Sequence, residues 1–318
     1  MVIAAVAIVG VALAVVWRFR GGPISATRPN VILISIDTLR PDHLGSYGYA
    51  APTSPSIDRF RADAVLFSRA YSAAPATLMS HATLLTSLIP QHHGASYHGV
   101  AGLSDEALTL ADVFKAEQYS TLAVVAGGQM DAAFGLDQGF DTYETEVTFP
   151  ATIDRALRLL DSRSSDPFFL FLHTYDVHMP YRSTPEDIAA IDPGYQGALP
   201  ELSIAQVEEI NKGTRPLPPD YRQQLITSYD AGIRKMDRAF GRLLQELRNR
   251  NLYDDTLIVL VSDHGNNHAH KAKPFPLSER LRSIGYQGYV TVHQAFEGVM
   301  PVTEATRKSA EYLRPSIA

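Results

Sequence analysis

Short continuous apolar runs alternate along this chain with segments in which apolar positions recur every three or four residues. The runs Asn30–Ile36 (NVILISI), 121–125 (TLAVV), 168–172 (FFLFL) and Thr256–Val261 (TLIVLV) are rich in β-branched and aromatic residues. Runs of that length and content predict central strands covered on both faces. Between them the periodicity predicts helices over 107–116, 153–160 and about 220–250. In the last of these, Leu225, Tyr229, Ile233, Met236, Phe240, Leu243, Leu244 and Leu247 form one apolar stripe. Strands alternating with helices imply an α/β fold, a mostly parallel central sheet flanked by helices on both faces. Residues 182–219, rich in Pro, Asp and Gly, read as an excursion from that sheet.

The N-terminus follows neither pattern. Residues 2–17 (VIAAVAIVGVALAVVW) carry no charge and have no polar face, and Arg18 and Arg20 follow at once. That predicts a membrane anchor or uncleaved signal over residues 1–20 rather than a core helix. The positive-inside rule, applied to the two arginines alone, would hold the rest in the cytoplasm, a conflict that a start upstream of Met1 removes. The expected arrangement is therefore membrane-anchored or exported, with the folded part outside the cytoplasm. Residues 21–28 (GGPISATR) read as a linker.

Composition narrows the function classes. With 45% hydrophobic and 19% charged residues over 318 positions, the chain can bury a sizeable core and is not intrinsically disordered. A net charge of −6 presents no basic face, so nucleic acid is not an expected partner. With no cysteine, disulfides, thiolate metal sites and a cysteine nucleophile are excluded. No Gly-rich phosphate loop follows the first strand, which argues against a nucleotide-binding fold.

In a parallel sheet, functional groups collect beyond the carboxyl ends of the strands. Asp37 follows the first predicted strand, and Ser262-Asp263-His264-Gly265 follows the last. His173, Asp176 and His178 follow the 168–172 strand. Any one of these acids could merely cap the next turn. Together they deliver oxygen and imidazole ligands to one rim, a set suited to a single divalent ion, with Ca²⁺, Mg²⁺, Mn²⁺ and Zn²⁺ all admissible.

The segments NVILISIDTLRPDHLGSYGY (30–49), ATLMSHATLLTSLIPQHHG (76–94), FFLFLHTYDVHMPY (168–181) and YDAGIRKMDRAFGRLLQEL…DDTLIVLVSDHG (229–265) resemble, in order, blocks of the sulfatase family within the alkaline phosphatase superfamily. The resemblance implies an alkaline phosphatase-like catalytic domain over 29–265 that hydrolyses sulfate or phosphate esters. It implies that Asp37, Asp263 and His264 hold the divalent ion and that Thr77 stands at the nucleophile's position. It further implies that His178 helps the leaving oxygen depart, and that His81 contacts the anion or orients the nucleophile. A helix expected from about Met79 to Leu88 would point its N-terminus at that anion; on sequence alone Thr77 also fits an ordinary cap for it.

Typical sulfatases oxidise Cys or Ser to formylglycine. Threonine would yield a ketone instead, so no formylglycine is expected, and an unmodified Thr77 favours phosphoesters. Such chemistry is similar to that of superfamily phosphodiesterases and membrane-tethered transferases of phosphoryl headgroups, the alternative reading. The chain also departs from the family pattern. Val124-Val125-Ala126-Gly127-Gly128-Gln129 stands where sulfatases carry lysine and histidine. Residues 266–318 read as a short, atypical C-terminal tail replacing the usual smaller lobe, in which His268, His270 and Lys271 align only by proximity. A relative that binds anion and metal without turnover is the third reading. The expected partners are a sulfate- or phosphate-ester substrate (small molecule, glycan or lipid headgroup) and a membrane through the N-terminal segment.

Overall fold

A computed structural model describes residues 28–265 except 69, 97–100, 164–165, 182, 196–205, 207–208, 210–213 and 216–218. The predicted anchor at 1–20, the linker at 21–28 apart from Arg28, and the tail at 266–318 lie outside the described residues. Among the described residues, no helix is long and apolar enough to cross a membrane.

The apolar runs form β1 (Asn30–Ile36), β2 (Ser120–Val125), β4 (Phe168–Thr174) and β5 (Thr256–Val261), joined by β3 (Thr142–Thr145). The sheet order is β3-β2-β4-β1-β5 and every adjacent pair is parallel. Strand β4 is buried at every position, as its FFLFL core requires. Strand β5, outermost of the described strands beside β1, is only half-buried, although its sequence reads as a two-sided core strand.

Seven helices are described: α1 (Pro55–Phe60), α2 (Thr77–Thr86), α3 (Pro90–His93), α4 (Leu110–Ala116), α5 (Phe149–Ser162), α6 (Pro185–Ile191) and α7 (Pro219–Asn249). The alternation of side chains along β1 divides the core. Ile32, Ile34 and Ile36 pack with α5 and α7, whereas Val31 and Leu33 pack with α2 and α4. The stripe read from the sequence of α7 is buried along its whole length. Within the 182–219 excursion, α6 lies on α7, where Asp187 pairs with Arg238 at 2.8 Å.

Helix boundaries follow their caps. Helix α4 starts at Leu110 rather than at 107 because Thr109 and Asp112 close a capping box. Helix α5 starts early, at Phe149, because Thr148 accepts the Ala151 N–H and Pro150 suits the first turn. Helix α2 begins two residues before the expected Met79 and ends at Ser87, whose left-handed φ of 58° stops the turn.

One cap comes from another element. Asp237 on α7 is fully buried and accepts the Ser56 and Ile57 N–H groups of α1 at 2.9 and 2.8 Å. The two helices meet closely at Gly241, where an added Cβ would come within 2.5 Å of Ser56 Oγ. Asp237→Ala is therefore expected to destabilise the fold by about 2–4 kcal/mol, because it strands two buried N–H donors. Urea unfolding measures this, with Asp237→Asn keeping an acceptor and most of the stability; a loss below about 1 kcal/mol for the alanine variant would refute the assignment.

Candidate active site

Strand ends build the site. Asp37 follows β1 directly, and its N–H extends the ladder to the Thr174 carbonyl of β4 at 3.1 Å. The next residue, Thr38, takes a φ of 58°, an unusual conformation for a β-branched residue. The surroundings hold it there. Its N–H donates to Asp263 Oδ1 (3.1 Å), its hydroxyl to the Val177 carbonyl (3.3 Å), and its carbonyl accepts the Tyr229 hydroxyl of α7 (2.8 Å). The strained turn thus locks the ends of β1, β4 and β5 to one another and to α7.

Asp37, Asp263 and His264 converge there, with one ligand atom of each within 4.8 Å of the others. Among the described residues, Asp37 Oδ1 and Asp263 Oδ2 are buried without a hydrogen-bond partner. Burial, and then the charge of Asp37, push the Asp263 carboxyl up to about 6. Burial lowers the His264 imidazole, but the carboxylates of Asp263 and Asp37 outweigh it and raise the group overall. His264 Nδ1 donates to the Gly265 carbonyl at 3.0 Å, which leaves Nε2 as the basic nitrogen facing the cluster. Two adjacent buried carboxylates with orphaned oxygens, beside an oriented imidazole, form a donor set that a divalent cation fits.

Thr77 lies in the same cluster. It is the first residue of α2, and the cap position falls on Ala76, so the hydroxyl does not cap the helix. It donates instead to Asp37 Oδ2 at 2.9 Å, with His264 Nε2 at 3.4 Å. Ser80, one turn on, anchors α2 to the end of β5 by donating to the Asp263 carbonyl at 2.7 Å.

Beneath Thr77 lies His81, fully buried with both ring nitrogens engaged. Nδ1 donates to the Thr77 carbonyl at 2.7 Å, and Nε2 accepts from Ser35 Oγ at 2.9 Å. Burial lowers its pKa to about 4, so the ring is neutral. His173 is likewise fully buried and lowered by burial to about 4. Its Nδ1 accepts the Ala126 N–H at 3.4 Å, and its Nε2 stands 3.8 Å from Asp37 Oδ2.

His178 is half-buried, and its Nδ1 donates to the Met179 carbonyl, leaving Nε2 basic. Asp176 is turned elsewhere. Its carboxylate takes the Phe149 N–H at 3.2 Å and Lys235 at 3.3 Å, tying the loop after β4 to α5 and α7.

Sequence reasoning passed over Thr38, Tyr175 and Gln129. Gln129 Oε1 accepts the Leu78 N–H at the start of α2 (3.1 Å), so that donor is already used. Tyr175 sits between His173 and His178, ring edge to ring face with both, at centroid distances of 4.6 and 5.7 Å. Its place in the same block as His173 and His178, just past the end of β4, was the available signal.

A parallel α/β sheet whose carboxyl-end rim gathers two aspartates, a histidine and a threonine hydroxyl belongs to the alkaline phosphatase-like class of folds. The family model described as Sulfatase matches residues 29–286, and the chain belongs to the sulfatase family. It is 26% identical over 300 residues to iduronate 2-sulfatase of Homo sapiens, covering 74% of this chain and 54% of that protein. It is also 26% identical over 282 residues to an ulvan-active sulfatase of Formosa agariphila, covering 78% and 53%. The chain thus spans about half the length of the curated relatives it matches. Among solved structures, the phosphonate monoester hydrolase of Agrobacterium radiobacter superposes with a TM-score of 0.62 at 19% identity, covering 77% of this chain and 64% of that one.

Proposed function

We propose that this protein is a metal-dependent hydrolase of sulfate or phosphate esters that uses Thr77 as an unmodified nucleophile and favours phosphoesters. The observation that carries the reading is the Thr77 hydroxyl donating to Asp37 within the Asp37–Asp263–His264 cluster. Asp37, Asp263 and His264 would hold the divalent ion, which when bound supplies positive charge for the ionised hydroxyl and the ester oxygens. The hydrogen bond to Asp37 Oδ2 gives the Thr77 proton a destination. Thr77 Oγ1 then attacks the phosphorus or sulfur in line, forming a threonine ester as the bond to the leaving oxygen breaks.

His178 acts as the general acid, passing a proton from Nε2 to that leaving oxygen. In the second half, water loses a proton to His178 and its oxygen displaces Thr77, which recovers its proton from Asp37. His81 holds the Thr77 carbonyl and acts through the nucleophile's backbone, one of the two roles expected of it. The relatives named above as sulfatases and as a phosphonate monoester hydrolase support ester chemistry at such a site.

Paired chromogenic substrates test this: an aryl sulfate against aryl phosphate mono- and diesters, with Ca²⁺ or Mn²⁺. Turnover of phosphoesters ahead of the sulfate, lost in a strong chelator and restored by metal, is expected. Faster sulfate turnover, or activity surviving the chelator, would sink the reading. Diversion of product to an added alcohol would select the headgroup transferase instead; metal binding with every ester silent would select the inactive relative. The apolar run at 2–17 supports membrane attachment or export, with the folded domain outside the cytoplasm as the proposed arrangement.

A further inference from the structure

Beyond Thr77, the rim has a wall of four rings, of which the mechanism above uses His81 and His178 but neither His173 nor Tyr175. It consists of rings in successive edge-to-face contact, from His81 to His173 (4.9 Å), from His173 to Tyr175 (4.6 Å) and from Tyr175 to His178 (5.7 Å). His81 and His173 are fully buried, so the Tyr175 phenol is braced from below. On the other side stands the loop after β2, where Gly127 and Gly128 have φ values of 68° and 61°. A Cβ added at Gly128 would lie 3.5 Å from the Tyr175 hydroxyl and ring, so the backbone closes on the phenol. His173, against which the ring packs, has its Nε2 3.8 Å from Asp37 Oδ2, which sets the phenol beside the Asp37–Thr77 cluster.

Lysine and histidine of the family pattern are absent from this loop. Gln129, the polar side chain it does present, spends its oxygen on the Leu78 N–H. Residues 126–131 after β2 thus offer no cationic side chain, and the phenol that Gly128 adjoins is braced in place.

We propose that Tyr175, held by the Gly128 backbone and the flanking histidine rings, is a substrate-contacting residue whose O–H donates to a non-bridging oxygen of the phosphoryl or sulfuryl group under attack by Thr77. The assignment rests on the ester-hydrolase reading for its substrate, but only on this chain's geometry for the anion contact. A phenol is neutral and stays protonated at physiological pH, so it stabilises the developing charge without adding a cation to the rim.

Tyr175→Phe in the full chain is the test, because it removes one oxygen and keeps the braced ring. With saturating Mn²⁺, calorimetric binding of inorganic phosphate is expected to weaken by about 10- to 100-fold, while the Mn²⁺ affinity stays within about twofold. The kcat/KM for the preferred ester is expected to fall by a similar factor. Unchanged phosphate affinity overturns the proposal. So does a joint loss of Mn²⁺ and phosphate affinity, which would mean that the phenol supports the metal ligands instead. If the unmodified protein hydrolyses no ester, the proposed function fails while the phosphate measurement still decides Tyr175.

Discussion

Thr77→Ala is expected to lower kcat/KM for the preferred aryl phosphoester by about 10³-fold or more, because among the described residues no other hydroxyl donates to the side chains of Asp37, Asp263 or His264. The metal-free protein is expected to lose about 1–3 kcal/mol of stability, since Thr77 donates to a buried carboxylate whose other oxygen has no hydrogen-bond partner. Thr77→Ser retains the hydroxyl and is expected to retain most activity. The covalent step has its own signature: quenching turnover in acid leaves a phosphoryl or sulfuryl adduct on the peptide carrying Thr77, detectable by mass spectrometry. An alanine variant with near-normal kcat/KM would move the nucleophile elsewhere and leave Thr77 as packing.

A change of the opposite character is expected at Asp263. Asp263→Asn should make the metal-free protein more stable, by about 1–3 kcal/mol, while weakening Mn²⁺ binding at least about 100-fold. The Asp263 carboxyl sits fully buried beside Asp37, with its pKa raised to about 6. In the metal-free protein a raised carboxyl pKa means that the folded state holds its proton more tightly than the unfolded state. That group's contribution is therefore full below the unfolded pKa of 3.8 and is lost as pH rises through about 6. The amide removes this cost. It can keep the bonds that Oδ1 accepts from the Thr38 and His264 N–H groups, at 3.1 and 2.7 Å, and offer an N–H toward Asp37. Melting curves and Mn²⁺ titrations on the two proteins check both halves. A lower melting temperature for the metal-free variant would mean that the carboxylate pair is not a source of repulsion.

The same acidity argument gives the direction of metal affinity with pH. Below about 6 the ion must displace a proton from Asp263, so binding weakens as pH falls.

The sheet was legible in the sequence wherever burial is two-sided. β1 and β5 have the bounds read from NVILISI and TLIVLV, and β4 extends the FFLFL run through His173 and Thr174. β3 was not legible, because its TYET segment is half-exposed and lacks an apolar run. Helix ends slipped wherever a cap at Thr109 or Thr148, rather than apolar periodicity, fixed the boundary. At the site, the position of acids after strands announced Asp37, Asp263 and His264. On sequence alone Thr77 also fitted a helix cap; the structure gives the cap position to Ala76 and places the Thr77 hydroxyl on Asp37. Thr38 and Tyr175 lie within the blocks 30–49 and 168–181, but what sets them apart is a backbone conformation and ring contacts, neither of which has a one-letter signature.

The Thr38 N–H and the Asp263 carboxylate that it holds are 225 positions apart, and β5 joins the described sheet only at its outer face beside β1. During synthesis, therefore, Asp37 emerges long before it has a companion. A chain that stops short of residue 256 has a β1 flank awaiting its neighbour and lacks two of the three side chains proposed to hold an ion. Closing so long a loop is among the slowest events in folding a sheet of this kind. Ion uptake would then act as a clock hand for maturation: the moment at which Mn²⁺ becomes tightly held dates the docking of the last described strand.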